Sequence, residues 1–182
     1  MTKIYKNSIL LFFIFSISTL SAQNAIKKFA DKTVSEVTYE MSHPLHDWEG
    51  INKNVRAVIK KNSETGKIEK VAVSLNIIDF NSGNSNRDSH TVEILDGIKY
   101  PAVTFVSNNI KKSDQNTIVS GVLTFHNVKK QIKFPILKKE KKGKEFYSGK
   151  FDIDMTKFNI KRPTLMNIPT DKTIKISFFI VF

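Results

Sequence analysis

The C-terminal stretch Ile174-Lys-Ile-Ser-Phe-Phe-Ile-Val-Phe182 decides the fold class. Its apolar side chains recur at every second position, from Ile174 to Phe182. Successive side chains of a β-strand point to opposite faces of a sheet, so this alternation is typical of a strand with one face in a core. The stretch therefore predicts an antiparallel sheet whose other face meets water.

Seven further stretches show the same alternation and are separated by polar turns. They span residues 33–41, 55–59, 68–78, 103–105, 119–125, 132–136 and 151–155. Eight strands joined mostly by short polar loops predict an all-β protein, either an up-and-down barrel or a sandwich. An eight-stranded antiparallel barrel has an interior that holds side chains or one small ligand.

Residues 84–97 interrupt this pattern and predict a short helix after the third strand. Ser85 and Asp88 have the spacing of a capping box, with Asp in place of the usual Glu. Gly97 is the expected C-cap, and Pro101 prevents the helix from continuing.

The N-terminal residues 1–22 have the pattern of a signal peptide. Lys3 and Lys6 precede the apolar run 9–20, and Ser21 and Ala22 are the small residues of a cleavage site. The run is too short to cross a bilayer core of roughly 30 Å, which disfavours an uncleaved anchor. We therefore predict cleavage near Ala22, one domain over residues 23–182, and a periplasmic or secreted protein.

Composition and motifs exclude several classes of protein. The 182 residues include no cysteine, which rules out a disulfide framework, a zinc–thiolate site and a thiol nucleophile. The sequence has no G-x-S-x-G elbow, no convincing triad, no phosphate loop and no G-x-G-x-x-G motif. These observations predict a protein that is not an enzyme and requires no cofactor.

Two histidines suggest an alternative function, that of a metal-dependent enzyme. His43 and His46 form an H-x-x-H pair, which binds zinc when a third ligand comes from elsewhere. Such a site would suit a metal-dependent accessory enzyme of stress or redox defence. Pro44 indicates a loop, however, and a two-histidine match is weak without a third ligand, so polar loop or capping roles are favoured and no metal site is predicted.

The formal charge of +12 is concentrated in basic clusters, at Lys27-Lys28, Lys111-Lys112, Lys129-Lys130 and 138–144. Nucleic-acid binding would require them on one face, interleaved with stacking aromatic side chains. The densest cluster lies between two predicted strands, where a solvated hairpin tip is expected. We predict no nucleic-acid partner and retain transient contact with an anionic membrane surface as the use of this charge.

The stretch Phe80-Asn-Ser-Gly-Asn-Ser-Asn-Arg-Asp-Ser-His90 resembles the signature of the YceI-like family. Three more stretches fit in the same order: Lys99-Tyr-Pro-Ala-Val-Thr-Phe105, Gly121-Val-Leu-Thr-Phe-His126, and Phe151-Asp-Ile-Asp followed by Arg162-Pro163. The resemblance covers residues 33–182, with Asn127 in place of the usual glycine and Lys129 in place of the usual threonine.

The resemblance implies a lipocalin-like barrel that encloses a tunnel for a polyprenyl chain or an isoprenoid quinone. The protein would then sequester or carry this apolar lipid, and homodimers are common among such domains. The expected wall residues are inward-facing and apolar, with Trp48 closing one end: Phe105, Leu123, Phe125, Phe134, Phe151, Ile153 and Phe178.

The family motifs also place polar residues near the helix. Arg87, Asp88 and His90 fall at its start, and His126 ends a strand. Two roles are open for them: contact with a ligand head group at the tunnel mouth, or pinning of the helix to the barrel. We favour the second, because an Arg-Asp pair at a helix N-terminus is explained by capping.

Overall fold

The computed structural model describes residues 25–112 and 117–182. The predicted signal peptide, residues 1–22, and the predicted turn at residues 113–116 lie outside these ranges. Within the described ranges, no helix is long and apolar enough to span a membrane.

Strands dominate the described residues, and their bounds follow in chain order. They are β1 (Ala25–Phe29), β2 (Glu36–His43), β3 (His46–Asn52), β4 (Arg56–Asn62), β5 (Ile68–Asn76), β6 (Phe80–Asn81), β7 (Ala102–Lys112), β8 (Thr117–Phe125), β9 (Val128–Lys141), β10 (Lys144–Asp154), β11 (Thr164–Leu165), β12 (Ile168–Pro169) and β13 (Thr173–Val181). Helix α1 spans Ser85–Ile94, and two 3₁₀ turns span Ile77–Asp79 and Met155–Phe158.

Eleven of these strands form one antiparallel sheet, in the order β1-β4-β5-β7-β8-β9-β10-β13-β2-β3-β6, while β11 and β12 pair separately. The sheet curls strongly, so that its two edges approach each other. The Asp31 N–H donates to the Val181 carbonyl at 2.8 Å, and Asn52 Nδ2 donates to the Asn76 carbonyl at 2.8 Å. The result is an incomplete barrel of the lipocalin-like type, with its core inside the curl.

The all-β antiparallel prediction is confirmed, but the count of eight strands is wrong. All eight predicted strands exist, and β1, β3 and β6 add to them in the main sheet. These three lack the apolar alternation that the prediction relied on: β1 is largely exposed, β3 is mostly polar, and β6 has two residues. The helix consequently follows the sixth strand rather than the third.

The N-cap of α1 lies one residue before the predicted Ser85, and its C-cap, Leu95, lies two residues before the predicted Gly97. Asn84 is the N-cap, because its side chain accepts hydrogen bonds from the backbone N–H groups of Asn86 and Arg87. At the other end Asp96 takes the left-handed conformation, with φ of 45°. The Gly97 N–H then donates a hydrogen bond to the Val92 carbonyl at 2.7 Å, which is the pattern of a Schellman motif.

Candidate functional site: an apolar bore in two parts

Two cavities lie inside the curled sheet. The first, of about 150 Å³, extends from the middle of the sheet towards the β9–β10 hairpin, and the second, of about 110 Å³, lies under α1. Val103, Ile153 and Ile176 line both, so the cavities meet at a waist formed by these three side chains. A dry cavity of roughly 150 Å³ admits a six-carbon ring, so the first cavity is large enough for hydrocarbon.

The structure places all eight predicted apolar residues on a cavity wall. Six line the first cavity: Phe105, Leu123, Phe134, Phe151, Ile153 and Phe178. Phe125 and Trp48 line the second, which Ile153 also borders. The strand alternation seen in the sequence is the reason, since every second side chain points into the curl. Contact of these residues with a ligand stays a prediction.

The aromatic residues of the first cavity form a cluster around Phe134. Its ring stacks on Phe151 with centroids 4.5 Å apart, and the rings of Phe105 and Phe178 lie 5.4 and 5.9 Å away. Offset and edge-on contacts of this kind add stability beyond area burial and fix the ring orientations. The cluster therefore gives the bore a defined wall.

Tyr39 brings a polar atom into the second cavity, and sequence reasoning missed it. Its ring lies directly against Gly50, where a β-carbon would come within 2.4 Å of the ring. Burial raises the pKa of the Tyr39 hydroxyl, which lies near the side chains of Thr91 and Trp48. This hydroxyl is buried and closes no hydrogen bond with any described residue. The sequence signal that could have identified Tyr39 as an inward-facing residue was its alternation with Val37 and Met41.

The four polar residues of the family motifs lie beside the bore and do not line either cavity. The Arg87 guanidinium carbon lies 5.8 Å from the centroid of the Trp48 ring. Asp88 accepts a hydrogen bond from the Ser82 backbone N–H at 3.0 Å, which ties the helix to the preceding loop. These contacts fit the pinning role.

The two histidines of this group have partners outside the bore. His90 is exposed, and its Nδ1 lies 3.2 Å from a Glu93 carboxylate oxygen. His126 lies in the β8–β9 turn, with Nδ1 at 3.0 Å from the Phe158 carbonyl and Nε2 at 3.1 Å from Asp96. Contact of any of the four residues with a ligand head group stays a prediction.

His43 and His46 face each other across a tight hairpin, where the sequence indicated a loop. His43 Nδ1 accepts the Leu45 backbone N–H at 3.2 Å, which assigns the proton to Nε2, and Nε2 donates to the Ile168 carbonyl at 3.0 Å. Both ring nitrogens of the buried His43 are thus engaged in holding two hairpins together. The described ranges contain no group of three His, Cys, Asp or Glu side chains that could hold a metal ion.

Glu145 is a buried carboxylate at the far end of the first cavity, and sequence reasoning missed it as well. Burial alone would raise the pKa of Glu145, but hydrogen bonds from Lys138, Lys61 and Lys28 outweigh it and lower this pKa to about 2. Its side chain is 4% exposed, and it also accepts a hydrogen bond from the Tyr147 hydroxyl at 3.3 Å. The signal was the inward alternation Glu145, Tyr147, Gly149, Phe151, which extends a predicted strand backwards.

Comparison with solved structures supports the lipocalin-like fold. Burkholderia cenocepacia BcnA superposes with a TM-score of 0.75 over 84% of this chain and 99% of its own, at 19% identity. A polyisoprenoid binding domain from Saccharophagus degradans gives a TM-score of 0.68 over 84% of this chain and 95% of its own, at 11% identity. At these identities the likeness shows the fold alone.

Sequence comparison identifies the family. Protein YceI from Escherichia coli is 27% identical over 99 residues, which are 53% of this chain and 52% of that relative. The chain spans about half the length of this relative and of a Pseudomonas putida relative. The YceI-like domain family matches residues 30–182, which include every strand from β2 to β13 and helix α1. The chain therefore belongs to the YceI-like family.

Proposed function

We propose that this protein binds the apolar tail of an isoprenoid lipid in its bore and sequesters or carries that lipid without catalysis. The ligand is a polyprenyl chain or an isoprenoid quinone, and binding takes place after export to the periplasm or the exterior. The observation that carries the proposal is the pair of apolar cavities that meet at Val103, Ile153 and Ile176. A structural relative is itself named as a polyisoprenoid binding domain.

Transfer energetics favour a long hydrocarbon over a compact ligand. Each buried methylene contributes about 0.8 kcal/mol, so a few isoprene units offset the cost of association. Two cavities in line accept an elongated molecule that fills both, whereas a compact molecule fills one. Affinity should therefore increase with chain length until both cavities are occupied.

The direct test is identification of what the protein carries. Native mass spectrometry of gently purified protein, followed by solvent extraction, should recover an apolar lipid with an isoprenoid tail. Protein that carries no lipid and also fails to bind added undecaprenol or quinone would overturn the proposal.

A variant at the waist tests whether one ligand occupies both cavities. Val103→Phe adds bulk where the cavities meet, and the matched control Val106→Phe adds the same bulk at an exposed position on the same strand. Loss of only two buried methylenes corresponds to about tenfold in affinity. We expect Val103→Phe to weaken undecaprenol binding by at least that factor, and to weaken much less the binding of prenol, whose single isoprene unit fits one cavity.

The result with prenol separates a blocked bore from a damaged fold. Equal loss of both ligands in a folded Val103→Phe protein would contradict a ligand that spans the waist. Circular dichroism and thermal unfolding of both variants show whether each is folded.

A further inference from the structure

One end of the barrel concentrates the positive charge of the protein. This end, which we call the cationic rim, consists of residues 25–29, 60–70, 110–112 and 137–145. Thirteen lysines lie on the rim against four glutamates: Lys27, Lys28, Lys60, Lys61, Lys67, Lys70, Lys111, Lys112, Lys138, Lys139, Lys141, Lys142 and Lys144, against Glu64, Glu69, Glu140 and Glu145. Three of the four basic clusters in the sequence thus belong to it.

Ion pairs show that three of the four rim segments, 25–29, 60–70 and 137–145, meet in space. Glu145 on β10 contacts Lys28 on β1, Lys61 on β4 and Lys138 on β9, so one carboxylate gathers lysines from three other strands. The three ammonium groups exceed the single carboxylate charge, and this cluster keeps a net charge of about +2 at neutral pH. Residues 110–112 join the same end through strand pairing, since Lys112 pairs with Thr117 and Thr117 with Ile136. The core of the rim thus remains cationic after ion pairing.

The fourth basic cluster lies elsewhere. Lys129 and Lys130 pair with Thr124 and Leu123 at the start of β9, next to the turn that contains His126. That turn contacts Phe158 and Asp96, which belong to the end of the molecule that carries α1. The same strand β9 thus bears lysines at both ends of the barrel.

The β9–β10 hairpin carries exposed lysines that form no ion pair with another described residue. Lys142 takes the left-handed conformation, with φ of 52°, at the first position of a two-residue turn that favours Asn or Gly. The exposed Lys139, Lys141 and Lys142 form no ion pair with another described residue. The hairpin therefore presents three positive charges to the exterior that no described carboxylate neutralises.

Apolar side chains and the first cavity adjoin these lysines. Ile26 is 51% exposed and Leu137 is 54% exposed, and each neighbours a rim lysine in sequence. Ile68, Ile136 and Tyr147 line the first cavity, and each lies within three residues of a rim lysine. Lysines interspersed with exposed apolar side chains are the composition that binds anionic lipid surfaces.

We propose that the cationic rim docks on an anionic membrane surface, with the adjoining end of the first cavity facing the bilayer. The entry of a lipid by this route rests on the proposed function, but docking itself does not. A vesicle-binding measurement is independent of whether the bore holds a ligand, so failure of docking and failure of lipid binding are distinguishable.

The test compares two triple variants of β9 and its turn with equal loss of charge. Lys139→Gln with Lys141→Gln and Lys142→Gln removes three charges from the rim. Lys129→Gln with Lys130→Gln and Lys133→Gln removes three charges outside it. Binding of the purified proteins is measured by co-sedimentation with phosphatidylglycerol–phosphatidylcholine vesicles and with phosphatidylcholine vesicles, at low and physiological salt.

The proposal gives a specific pattern of results. The unmodified protein should bind the anionic vesicles, prefer them to the neutral vesicles, and release them as salt increases. The rim variant should bind about tenfold more weakly or worse, while the control variant changes less than about twofold. Equal loss in both variants, absence of vesicle binding, or a preference for duplex DNA over anionic vesicles at physiological salt would overturn the proposal.

Discussion

The two ends of the barrel are stabilised by different interactions. The cationic rim is held by ion pairs around Glu145, whereas the other end is covered by α1 and packed with apolar side chains such as Ile94 and Leu95. The helix-covered end consists of residues 43–49, 85–99, 125–130 and 154–172. These residues include eight lysine or arginine side chains and seven aspartate or glutamate side chains. The net positive charge therefore belongs to one end of the barrel and is not a general property of its surface.

The difference in charge between the two ends suggests that each end of the bore has its own role. The rim supplies charge that attracts a surface, while the helix-covered end supplies an apolar cavity lined by Tyr39, whose hydroxyl forms no hydrogen bond with a described residue. If the proposed function holds, a lipid tail passes from the charged end towards the covered end. Substitutions at the two ends should then have different effects on stability and on binding.

The largest effect on stability is expected at the rim, from Glu145→Gln. This change leaves the Lys28, Lys61 and Lys138 ammonium groups close together without a carboxylate among them. Removing one partner of a buried ion pair costs about 3–5 kcal/mol, and the partial exposure of the lysines favours the lower value. We expect a loss of about 3 kcal/mol in the free energy of unfolding, measured by urea denaturation.

A second carboxylate in the rim provides the control. Glu140→Gln removes the same charge, but the Glu140 side chain is 62% exposed and contacts only Lys138, at 3.8 Å, among the ion pairs of the described residues. Exposed pairs contribute about 0–1 kcal/mol, so this variant should remain near the unmodified protein. Equal losses in the two variants would show that Glu145 does not hold the rim together.

Acid should remove the stabilisation that Glu145 gives to the rim. The pKa of Glu145 lies at about 2 in the folded protein and near 4.5 when unfolded, so its stabilisation is complete above pH 4.5 and is lost as the pH falls towards 2. Linkage for a shift of this size corresponds to about 2 kcal/mol, after allowance for screening. Urea denaturation at intervals from pH 5 to pH 2 measures the loss, and Glu145→Gln should lack this part of the pH dependence. An unchanged pH profile in the variant would assign the acid sensitivity to other carboxylates.

The wall of the bore and the cationic rim differ in how far the sequence predicted them. The apolar wall was predictable because strand alternation is a local signal, and Phe105, Leu123 and Phe134 each follow it. Convergence of Lys28, Lys61 and Lys138 on Glu145 was not predictable, since it depends on pairing between strands that are distant in the chain. Sequence gives the face on which a side chain lies, but the curl of the sheet decides which strands meet.

The helix-covered end shows a second limit. The sequence predicted the existence of α1 correctly, but assigned its caps to Ser85 and Gly97 instead of Asn84 and Leu95. Several residues in this stretch are capable of either role, and contacts with the loop at Ser82 and the turn at His126 select among them. Cap identity here is a tertiary effect.

At the helix-covered end, Tyr39→Phe should affect binding more than folding. The variant removes a buried hydroxyl that forms no hydrogen bond with a described residue, so unfolding free energy should stay unchanged or increase by up to about 1 kcal/mol. If the hydroxyl bonds a polar group of the ligand, the loss of one hydrogen bond lowers affinity by about three- to tenfold. Binding of a quinone, compared with that of a hydrocarbon of equal length, measures this difference.

Tyr147→Phe is the control for Tyr39→Phe at the opposite end. The Tyr147 hydroxyl donates to Glu145, so its removal should reduce stability by about 1 kcal/mol and leave the preference for a quinone unchanged. Equal affinity of the Tyr39→Phe variant and the unmodified protein for the quinone would remove Tyr39 from the binding site.

The smallest effects are expected at two turns that occupy opposite ends. Lys142 at the rim and Met166 at the helix-covered end both take left-handed conformations, with φ of 52° and 49°, at the first position of a two-residue turn. Glycine adopts this conformation without steric cost, so Lys142→Gly and Met166→Gly should each stabilise the fold by about 0.5–1 kcal/mol. Thermal unfolding measures both gains. Only Lys142→Gly should also weaken binding to anionic vesicles, because only this change removes charge from the rim, and equal vesicle binding by the two variants would contradict the difference between the ends.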